Sequence, residues 1–306
     1  MTHTFQASRM WQRINEFWVT EDAAVDLTDF KSDRRNFNLA LWDPAANGVR
    51  YFKAMLYHLA SELTPAQWAR IEPIRNREVG NPITVRIDGR PVCLDYLQAA
   101  LELEFIEPHV DLRNADVLEV GAGYGRTCHA ILSNHDVSSY CIVDLGNTLR
   151  LSRRYLREVL DDAQFAKVRF VDVDTEDPAS TLAPMRFDLC VNIHSFTEMM
   201  PETVRAYLDL IAGTCAAFYV KNPVGKFFDK RLDGHWKGDE AVRYALEVGP
   251  LREVVDIYDN RAVASRAPGY VDTYRPAGDW TCLADARAEP WSYFWQAVYR
   301  KGDTAP

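Results

Sequence analysis

A glycine-rich segment, VLEVGAGYGR over residues 117–126, carries the clearest chemical signal in the sequence. An apolar run ends there in three glycines, Gly121, Gly123 and Gly125, and a helix-forming run follows. Glycine allows a sharp turn and a close approach of the backbone to a ligand. The first N–H groups of the following helix can then meet polar ligand atoms. The segment predicts a small-molecule binding loop. A purely structural turn is the alternative, which three glycines within five residues disfavour.

Two details of this loop argue against a dinucleotide ligand. The glycines are spaced GxGxG, whereas the dinucleotide fingerprint is GxGxxG. In addition, Glu119 lies two residues before Gly121. A carboxylate at that point would repel a pyrophosphate and attract the amino group of an amino-acid ligand.

A second acidic residue, Asp144, closes the next apolar run, SYCIVD over residues 139–144. A carboxylate at the end of this strand of a nucleotide-binding sheet commonly accepts the ribose hydroxyls of an adenosine. The alternative role is an N-cap for the helix that follows. Because Asp144 follows the glycine loop at the expected distance, we expect it to bind ligand.

From Ala115 onward the sequence alternates between short apolar runs and amphipathic runs. The predicted strands cover 116–120, 139–143, 168–173, 187–192, 216–220, 254–258 and 293–299. The predicted helices cover 127–133, 149–160 and 201–212. This alternation predicts an α/β fold with a Rossmann-like, doubly wound, mostly parallel, seven-stranded sheet. The last strands have little helix between them, so we expect an antiparallel edge.

The first 110 residues are rich in aromatic and charged side chains and predict a mostly helical cap. Helices are expected over 49–63, from Thr64 as N-cap onward, and over 95–105. We therefore divide the chain into an N-terminal cap, 1–110, that serves acceptor binding or dimerisation, and a ligand-binding domain, 111–306. Its segment 260–290 contains Pro, Gly and Arg and predicts a lid-like insert.

Composition narrows the class of protein. A net charge of -9 over 306 residues disfavours nucleic acid as a partner. No run approaches the ~18 apolar residues of a membrane span, and the N-terminus lacks the apolar core of a signal peptide. Six scattered cysteines without a CxxC pair predict reduced, buried thiols. We therefore expect a cytoplasmic protein that acts on a small molecule and touches no membrane.

The segments EVGAGYG and IVDL resemble the first and second motifs of class I S-adenosylmethionine-dependent methyltransferases, and the resemblance covers residues 110–220. It implies S-adenosyl-L-methionine as cofactor and methyl transfer as the reaction. It further implies that the methionine part lies along Gly121, Gly123, Tyr124 and Gly125, and that Asp144 and Leu145 hold the ribose and adenine. Near the adenine it places Asp172 and Val173, with Asp174 and Glu176 as neighbouring acidic alternatives.

Residues 187–211, FDLCVNIHSFTEMMPETVRAYLDLI, resemble a narrower group, the sugar O-methyltransferase family of natural-product pathways. In that family the fourth strand ends in Asn and a Ser-Phe-x-Glu-Met stretch follows. The matching residues are Asn192, Ser195, Phe196, Glu198 and Met199. Segments 79–82 and 221–223 also sit where family-like segments are expected. This resemblance implies a hydroxyl of a sugar or glycosylated natural product as the acceptor, with Asn192 bordering the cofactor.

Two residues of this segment, His194 and Glu198, are candidates for the chemistry. A sugar hydroxyl is a weak nucleophile, and a histidine with a pKa of about 6.5 suits removal of its proton. Glu198 either orients His194, binds acceptor hydroxyls or acts as the base itself. His235, in DGHW, is a second candidate base. The alternatives are a structural histidine at 194, a helix-terminal carboxylate at 198 and an exposed loop histidine at 235.

Several other functions stay open from the sequence. They are a methyltransferase acting on nitrogen, carboxylate or phenol, a non-catalytic S-adenosylmethionine-binding protein, and a nicotinamide-dependent dehydrogenase. Methyl transfer requires no metal, and we expect none, although Asp172, Asp174, Glu176 and Asp177 mimic a cation-binding cluster. The aromatic N-terminal region also fits a homodimer surface.

Overall fold

The computed structural model describes residues 7–20, 25, 28–29, 31–40, 42–235 and 237–302. The chain divides into two units. The N-terminal unit comprises Met1–Ser61 and Thr84–Pro91, and the sheet unit comprises Glu62–Ile83 and Val92–Pro306. In the described residues, no helix is both long and apolar enough to cross a membrane.

In its described residues, the N-terminal unit contains three helices and a short hairpin. The elements are α1 (Arg9–Phe17), α2 (Arg34–Leu39), α3 (Pro44–Ser61), β1 (Thr84–Ile87) and the start of β2 (Arg90–Cys93). Helix α3 begins five residues before the predicted start at Val49 and is kinked at Asn47. The hairpin turns through Asp88 and Gly89, both with positive φ, which suits an Asp-Gly type I′ turn.

The sheet unit holds the remaining elements. Its strands are β3 (Asp116–Val120), β4 (Ser139–Asp144), β5 (Val168–Asp172), β6 (Phe187–Ile193), β7 (Cys215–Pro223), β8 (Trp280–Arg287) and β9 (Phe294–Lys301). Its helices are α4 (Pro65–Ile71), α5 (Leu94–Ile106), α6 (Arg126–Asn134), α7 (Gly146–Val159), α8 (Asp162–Ala166), α9 (Pro178–Leu182), α10 (Pro201–Thr214), α11 (Lys230–Asp233), α12 (Asp239–Glu247), α13 (Asn260–Ser265) and α14 (Ala267–Thr273). A 3₁₀ helix covers Ser195–Glu198.

The seven strands form one sheet in the order β5-β4-β3-β6-β7-β9-β8. The first five in this order are parallel, and β9 runs antiparallel to both β7 and β8. The mixed α/β class, the mostly parallel seven-stranded sheet and the antiparallel edge are therefore as predicted. Chain order reverses between β3 and β6, which places a topological switch point at their carboxyl ends.

Two apolar clusters form the core of the sheet unit. Successive side chains of a strand point to opposite faces, so Val117 belongs to one cluster and Leu118 to the other. The first cluster includes Leu103 and Ile131 from α5 and α6. The second includes Ile211 from α10. Because strands packed on both faces are apolar throughout, β3, β4 and β6 read in the sequence as continuous apolar runs.

One predicted strand is wrong, and one observed strand has no counterpart among the predictions. The predicted strand at 254–258 is wrong, since Val254 makes only an isolated bridge to Lys226. Among the seven strands of the sheet, the sixth in chain order is β8. It lies inside the segment 260–290, which also contains α13 and α14. Strand β8 lies at the edge of the sheet, and its residues alternate strictly between more and less exposed positions. Such a strand lacks the continuous apolar run of a buried one.

Other local predictions are confirmed. Thr64 caps α4 through a capping box with Gln67, and Pro65 occupies the first helical turn. The predicted helices beginning near 95, 127, 149 and 201 are α5, α6, α7 and α10. The six cysteines are free, and all except Cys282 are buried.

Candidate active site

A cavity of about 610 Å³ opens at the carboxyl ends of β3, β4 and β6, where the strand order reverses. This is the position at which open α/β sheets bind ligands. The predicted residues that line it are Glu119, Gly121, Gly123, Tyr124, Asp144, Leu145, Val173, His194 and Glu198. A cavity of about 640 Å³ lies at the opposite edge, around the amino ends of β3, β6 and β7. It contains none of the predicted site residues.

The glycine loop turns tightly because two of its glycines have no room for a side chain. Gly121 has a φ of +75°, and Ser195 occupies the space that a Cβ would need. Gly125 has a φ of +95°, and a Cβ there would lie 3.0 Å from the Cδ1 of Leu156. Both positive φ values and the close packing therefore require glycine.

The backbone N–H groups of the three loop glycines are hydrogen-bonded within the protein. Gly121 donates to the carbonyl of Val143 at 2.9 Å, and Gly125 donates to the carbonyl of Ala122 at 3.0 Å. Gly123 donates to the carboxylate of Asp144 at 3.0 Å. The loop is thereby fixed in shape without a ligand, and these three donors are not available to a phosphate.

Asp144 connects the glycine loop to the end of β4. Its second carboxylate oxygen accepts the N–H of Leu145 at 2.7 Å. Burial raises the pKa of this carboxyl, while the N–H bonds from Leu145 and Gly123 oppose the increase. The carboxylate faces the cavity and can accept further hydrogen bonds from ligand hydroxyls.

Glu119 lies beneath the glycine loop and is 2% exposed. It accepts a hydrogen bond from the hydroxyl of Tyr140 at 2.8 Å. Burial raises its pKa to about 7, although Tyr140 and Arg126 pull it in the opposite direction. A cationic ligand group beside Glu119 would favour the ionised carboxylate.

A buried charge cluster lies next to Glu119. The Glu102 carboxylate on α5 accepts from the Arg126 guanidinium at 2.7 Å and from the Lys221 ammonium at 2.9 Å. Glu102 and Lys221 are both 2% exposed. Burial opposes ionisation of Glu102, but the two cations lower its pKa below the usual value. The cluster therefore ties the start of α6 to the end of β7 through one carboxylate.

The turn after β6 carries the two candidate chemical groups, His194 and Glu198. His194 has a φ of +67° and precedes the 3₁₀ helix, and its ring lies 5.2 Å from that of Phe294. Its Nδ1 is 3.9 Å from a carboxylate oxygen of Glu198. Burial lowers the pKa of His194, and the charges of Lys226 and Lys221 lower it further against the effect of Glu198. The lowered pKa favours the neutral ring, which can accept a proton.

Hydrogen bonds from β3 and β7 hold the first half of this turn. Asn192 donates to the carbonyl of Val120 at 3.0 Å and to the hydroxyl of Ser195 at 2.6 Å. Ser195 donates to the same carbonyl at 3.0 Å. Asn222 donates to the side-chain carbonyl of Asn192 at 2.8 Å. The two asparagines thus join three strand ends.

The second half of the turn is held by segments distant in sequence. The buried Lys226 ammonium donates to the carbonyl of Thr197 at 2.9 Å. Gly249 donates its N–H to the carbonyl of Met199 at 2.6 Å. A Cβ on Gly249 would lie 2.8 Å from the Thr197 carbonyl oxygen, so only glycine fits there.

Four predicted site residues do not line the cavity: Gly125, Asp172, Asn192 and His235. Asp172 accepts the N–H of Asp174 and packs against Gly146, while its neighbour Val173 faces the cavity. Asn192 is fully buried behind the loop. His235 lies edge-to-face against Phe228 at 6.2 Å, outside the cavity.

Other lining residues had no predicted role: Arg126, Thr148, Thr203 and Tyr207. Thr203 and Tyr207 are one helical turn apart on α10, whose first turn faces the carboxyl edge of the sheet. In the sequence, the i, i+4 spacing of Thr203 and Tyr207 directly after the turn indicates that both side chains face the site. Over the described ranges, no three His, Cys, Asp or Glu side chains are grouped to hold a metal ion.

Comparison with known proteins gives similarity at the level of the fold. No family model and no curated protein sequence matches the chain. Among solved structures, it is similar to the pyocyanin biosynthetic protein PhzM at 13% identity and a TM-score of 0.45, over 89% of this chain and 71% of that one. It is similar to the mitomycin 7-O-methyltransferase MmcR at 11% identity and a TM-score of 0.43, over 89% and 70%. An S-adenosylmethionine-dependent methyltransferase from Clostridium acetobutylicum gives 12% identity and a TM-score of 0.42, over 67% and 91%.

Proposed function

We propose that the protein is an S-adenosylmethionine-dependent O-methyltransferase acting on a hydroxyl of a sugar or a glycosylated natural product. One observation carries the choice of cofactor. The switch-point cavity has the buried Glu119 carboxylate beneath a loop whose glycine N–H groups are already bonded within the protein. A pyrophosphate needs such donors and is repelled by a carboxylate, whereas a ligand with a cationic amino group is attracted.

The residues of the cavity fit S-adenosylmethionine by their chemistry. Asp144 suits the ribose hydroxyls, and Glu119 suits the amino group of the methionine part. Leu145 and Val173 supply apolar surface for the adenine. A cavity of about 610 Å³ lies in the range of typical ligand pockets, ~300–1,000 Å³.

When bound, S-adenosylmethionine supplies an electrophilic methyl group. The chain itself then has to orient the acceptor hydroxyl and take its proton. His194 lines the cavity and its lowered pKa favours the neutral ring, so a ring nitrogen can accept that proton. Glu198 is close enough to stabilise the resulting imidazolium.

The sugar acceptor is the finer part of the proposal. It is supported by the segment 192–199, whose Asn, Ser, Phe, Glu and Met resemble the sugar O-methyltransferase pattern. His194 and Glu198 in that segment are both polar and more than half exposed along their side chains, at 51% and 70%. Such groups suit the hydroxyls of a polar acceptor.

Calorimetry tests the cofactor. Titration of the full chain with S-adenosylhomocysteine should give saturable binding, and titration with NAD⁺ should give none. Binding of NAD⁺ without binding of S-adenosylhomocysteine would establish a dehydrogenase-type ligand and overturn the proposal.

Transfer of a tritiated methyl group tests the reaction. Simple glycosides, phenols, carboxylic acids and amines would be offered separately as acceptors. Label in the glycosides supports the proposal. If the label enters only another class of acceptor, that class would replace the sugar in the proposal. Tight cofactor binding without label in any class would favour a non-catalytic binding protein.

A further inference from the structure

A strip of aromatic side chains, made of Phe227, Phe228, Tyr293 and Phe294, lies next to His194. Ring centres are 5.2 Å apart between His194 and Phe294, and 5.1 Å between Phe294 and Tyr293. Tyr293 is 4.8 Å from Phe227, which is 4.7 Å from Phe228. The aromatic strip therefore runs without a break from the candidate base to Phe228.

The sheet positions this strip at the same edge as the cavity. Strand β7 ends at Pro223, which pairs with Phe294 at the start of β9. The N–H of Val224 donates to the carbonyl of Tyr293 at 3.0 Å. His194 is shared, because it lines the cavity and its ring also contacts the strip. The cofactor cavity and the aromatic strip thus meet at His194.

Three of the four rings of the strip are partly accessible, whereas Phe294 is only 6% exposed. Phe227, Phe228 and Tyr293 are each only partly buried. Neither Phe227 nor Phe228 belongs to the two core clusters of the described sheet unit. The ammonium of the exposed Lys237 lies 4.6 Å from the ring centre of Phe228. An acceptor ring that stacks on Phe228 would therefore take the place of the Lys237 ammonium.

Given the proposed function, we propose that the aromatic strip binds a flat, apolar ring of the acceptor, such as an aryl aglycone. The hydroxyl that becomes methylated then lies between His194 and the cofactor cavity. The site accordingly selects aryl glycosides over simple sugars.

The chemistry of the strip favours a flat ring over a sugar ring. Aromatic rings pair with centres about 4.5–7 Å apart, so a flat ring of the acceptor can pair with the partly exposed rings of Phe227 and Tyr293. A sugar would bring several hydroxyls, each of which needs a hydrogen-bonding partner once buried. The strip offers a single polar group, the hydroxyl of Tyr293. The polar part of the acceptor is better matched by His194 and Glu198.

Two matched probes test the proposal: phenyl β-glucopyranoside and methyl β-glucopyranoside. Their binding to the full chain would be measured by NMR titration with and without S-adenosylhomocysteine. We expect the phenyl compound to bind at least tenfold more tightly. Tyr293→Leu should remove most of this preference, and Tyr293→Phe should keep it because the ring remains. Phe165→Leu, which truncates a partly buried ring elsewhere, is the control for folding and should leave the preference unchanged.

Equal affinity for the two glucosides, binding of neither, or an unchanged preference in Tyr293→Leu would overturn the proposal. S-adenosylhomocysteine binding in the same samples separates this failure from that of the proposed function. A chain that prefers the phenyl compound but does not bind S-adenosylhomocysteine keeps the aryl site and loses the methyltransferase assignment.

Discussion

The two sides of the candidate site are built differently. The cofactor side consists of the glycine loop and Asp144, which are joined by backbone hydrogen bonds between adjacent strands. The reaction side consists of the turn 194–199, which depends on Lys226, Gly249 and Phe294. The first is rigid and short-range, whereas the second is assembled from distant segments. Changes on the first side should therefore act on cofactor affinity, and changes on the second should act on turnover.

Glu102 ties the start of α6 to the end of β7 through a buried charge cluster, so its removal should have the largest effect. Glu102→Gln leaves Arg126 and Lys221 without their shared carboxylate in a buried position. Loss of one partner from a buried ion pair costs about 3–5 kcal/mol, and we expect that decrease in the free energy of unfolding, measured in urea. Glu104→Gln on the same helix is the control, because Glu104 is 41% exposed and should change stability by less than about 1 kcal/mol. Equal effects of the two substitutions would contradict the role of the cluster.

Glu119 should make the ligand-free protein less stable as the pH rises. Its pKa is raised from 4.5 to about 7, so the folded state holds a proton that the unfolded state has lost. This stabilisation is complete below about pH 4.5 and disappears as the pH rises through 7. At pH 8, Glu119→Gln should therefore be more stable than the wild type by up to about 3 kcal/mol, measured by urea unfolding across pH 5–8. The same variant should bind S-adenosylmethionine more weakly. A parallel pH dependence in both proteins would exclude Glu119 as its source.

His194→Ala tests the reaction side directly. We expect kcat to fall by about a hundredfold, the usual order for loss of a general base, while the Kd for S-adenosylhomocysteine stays nearly constant. Rapid-quench measurement of methyl transfer separates the chemical step from product release. Survival of full turnover would mean that the base lies elsewhere or is not needed.

Asp144→Ala tests the cofactor side. Loss of the carboxylate removes the expected ribose partner and the acceptor for the Gly123 N–H. We expect S-adenosylhomocysteine affinity to fall at least tenfold in calorimetry, which corresponds to about 1.4 kcal/mol. Asp162→Ala, which changes a carboxylate that is 94% exposed, should leave affinity intact. Unchanged affinity in Asp144→Ala would remove the ribose assignment.

Lys226→Met should give the smallest change and one confined to turnover. Lys226 holds the Thr197 carbonyl, and its charge lowers the pKa of His194. Without it we expect kcat to fall roughly threefold to tenfold, and the acidic limb of the kcat–pH profile to move to higher pH. Lys226→Arg keeps the charge and should keep the position of that limb. If the acidic limb of the kcat–pH profile moves in neither variant, Lys226 has a structural role only.

The same contrast explains which residues the sequence could predict. The glycine loop and Asp144 lie close in the chain, and their chemistry follows from residue type and spacing. Asp172 and Val173 are predicted together, but β5 ends at Asp172, whose carboxylate packs against Gly146, and only Val173, in the turn that follows, lines the cavity. Asn192 fails for a similar reason, since its side chain turns inward to Asn222 and Ser195.

The reaction side could be predicted only in part. His194 and Glu198 follow from their place after β6, yet nothing local indicates that Lys226 and Gly249 hold the turn. His235 was predicted from residue type alone, and its loop does not bring it to the cavity. Strand β8 is missed because it lacks the continuous apolar run of a buried strand, and Trp280 is its one buried residue. The contacts of Lys226 and Gly249 with the turn 194–199 depend on segments far apart in the chain.

A crystal structure with S-adenosylhomocysteine soaked into the protein tests the central claim most directly. The account predicts density along Gly121–Gly125, with the ribose hydroxyls within hydrogen-bonding distance of Asp144 and the amino group beside Glu119. Density confined to the cavity at the opposite edge of the sheet, or a ligand that does not contact Asp144, would contradict it.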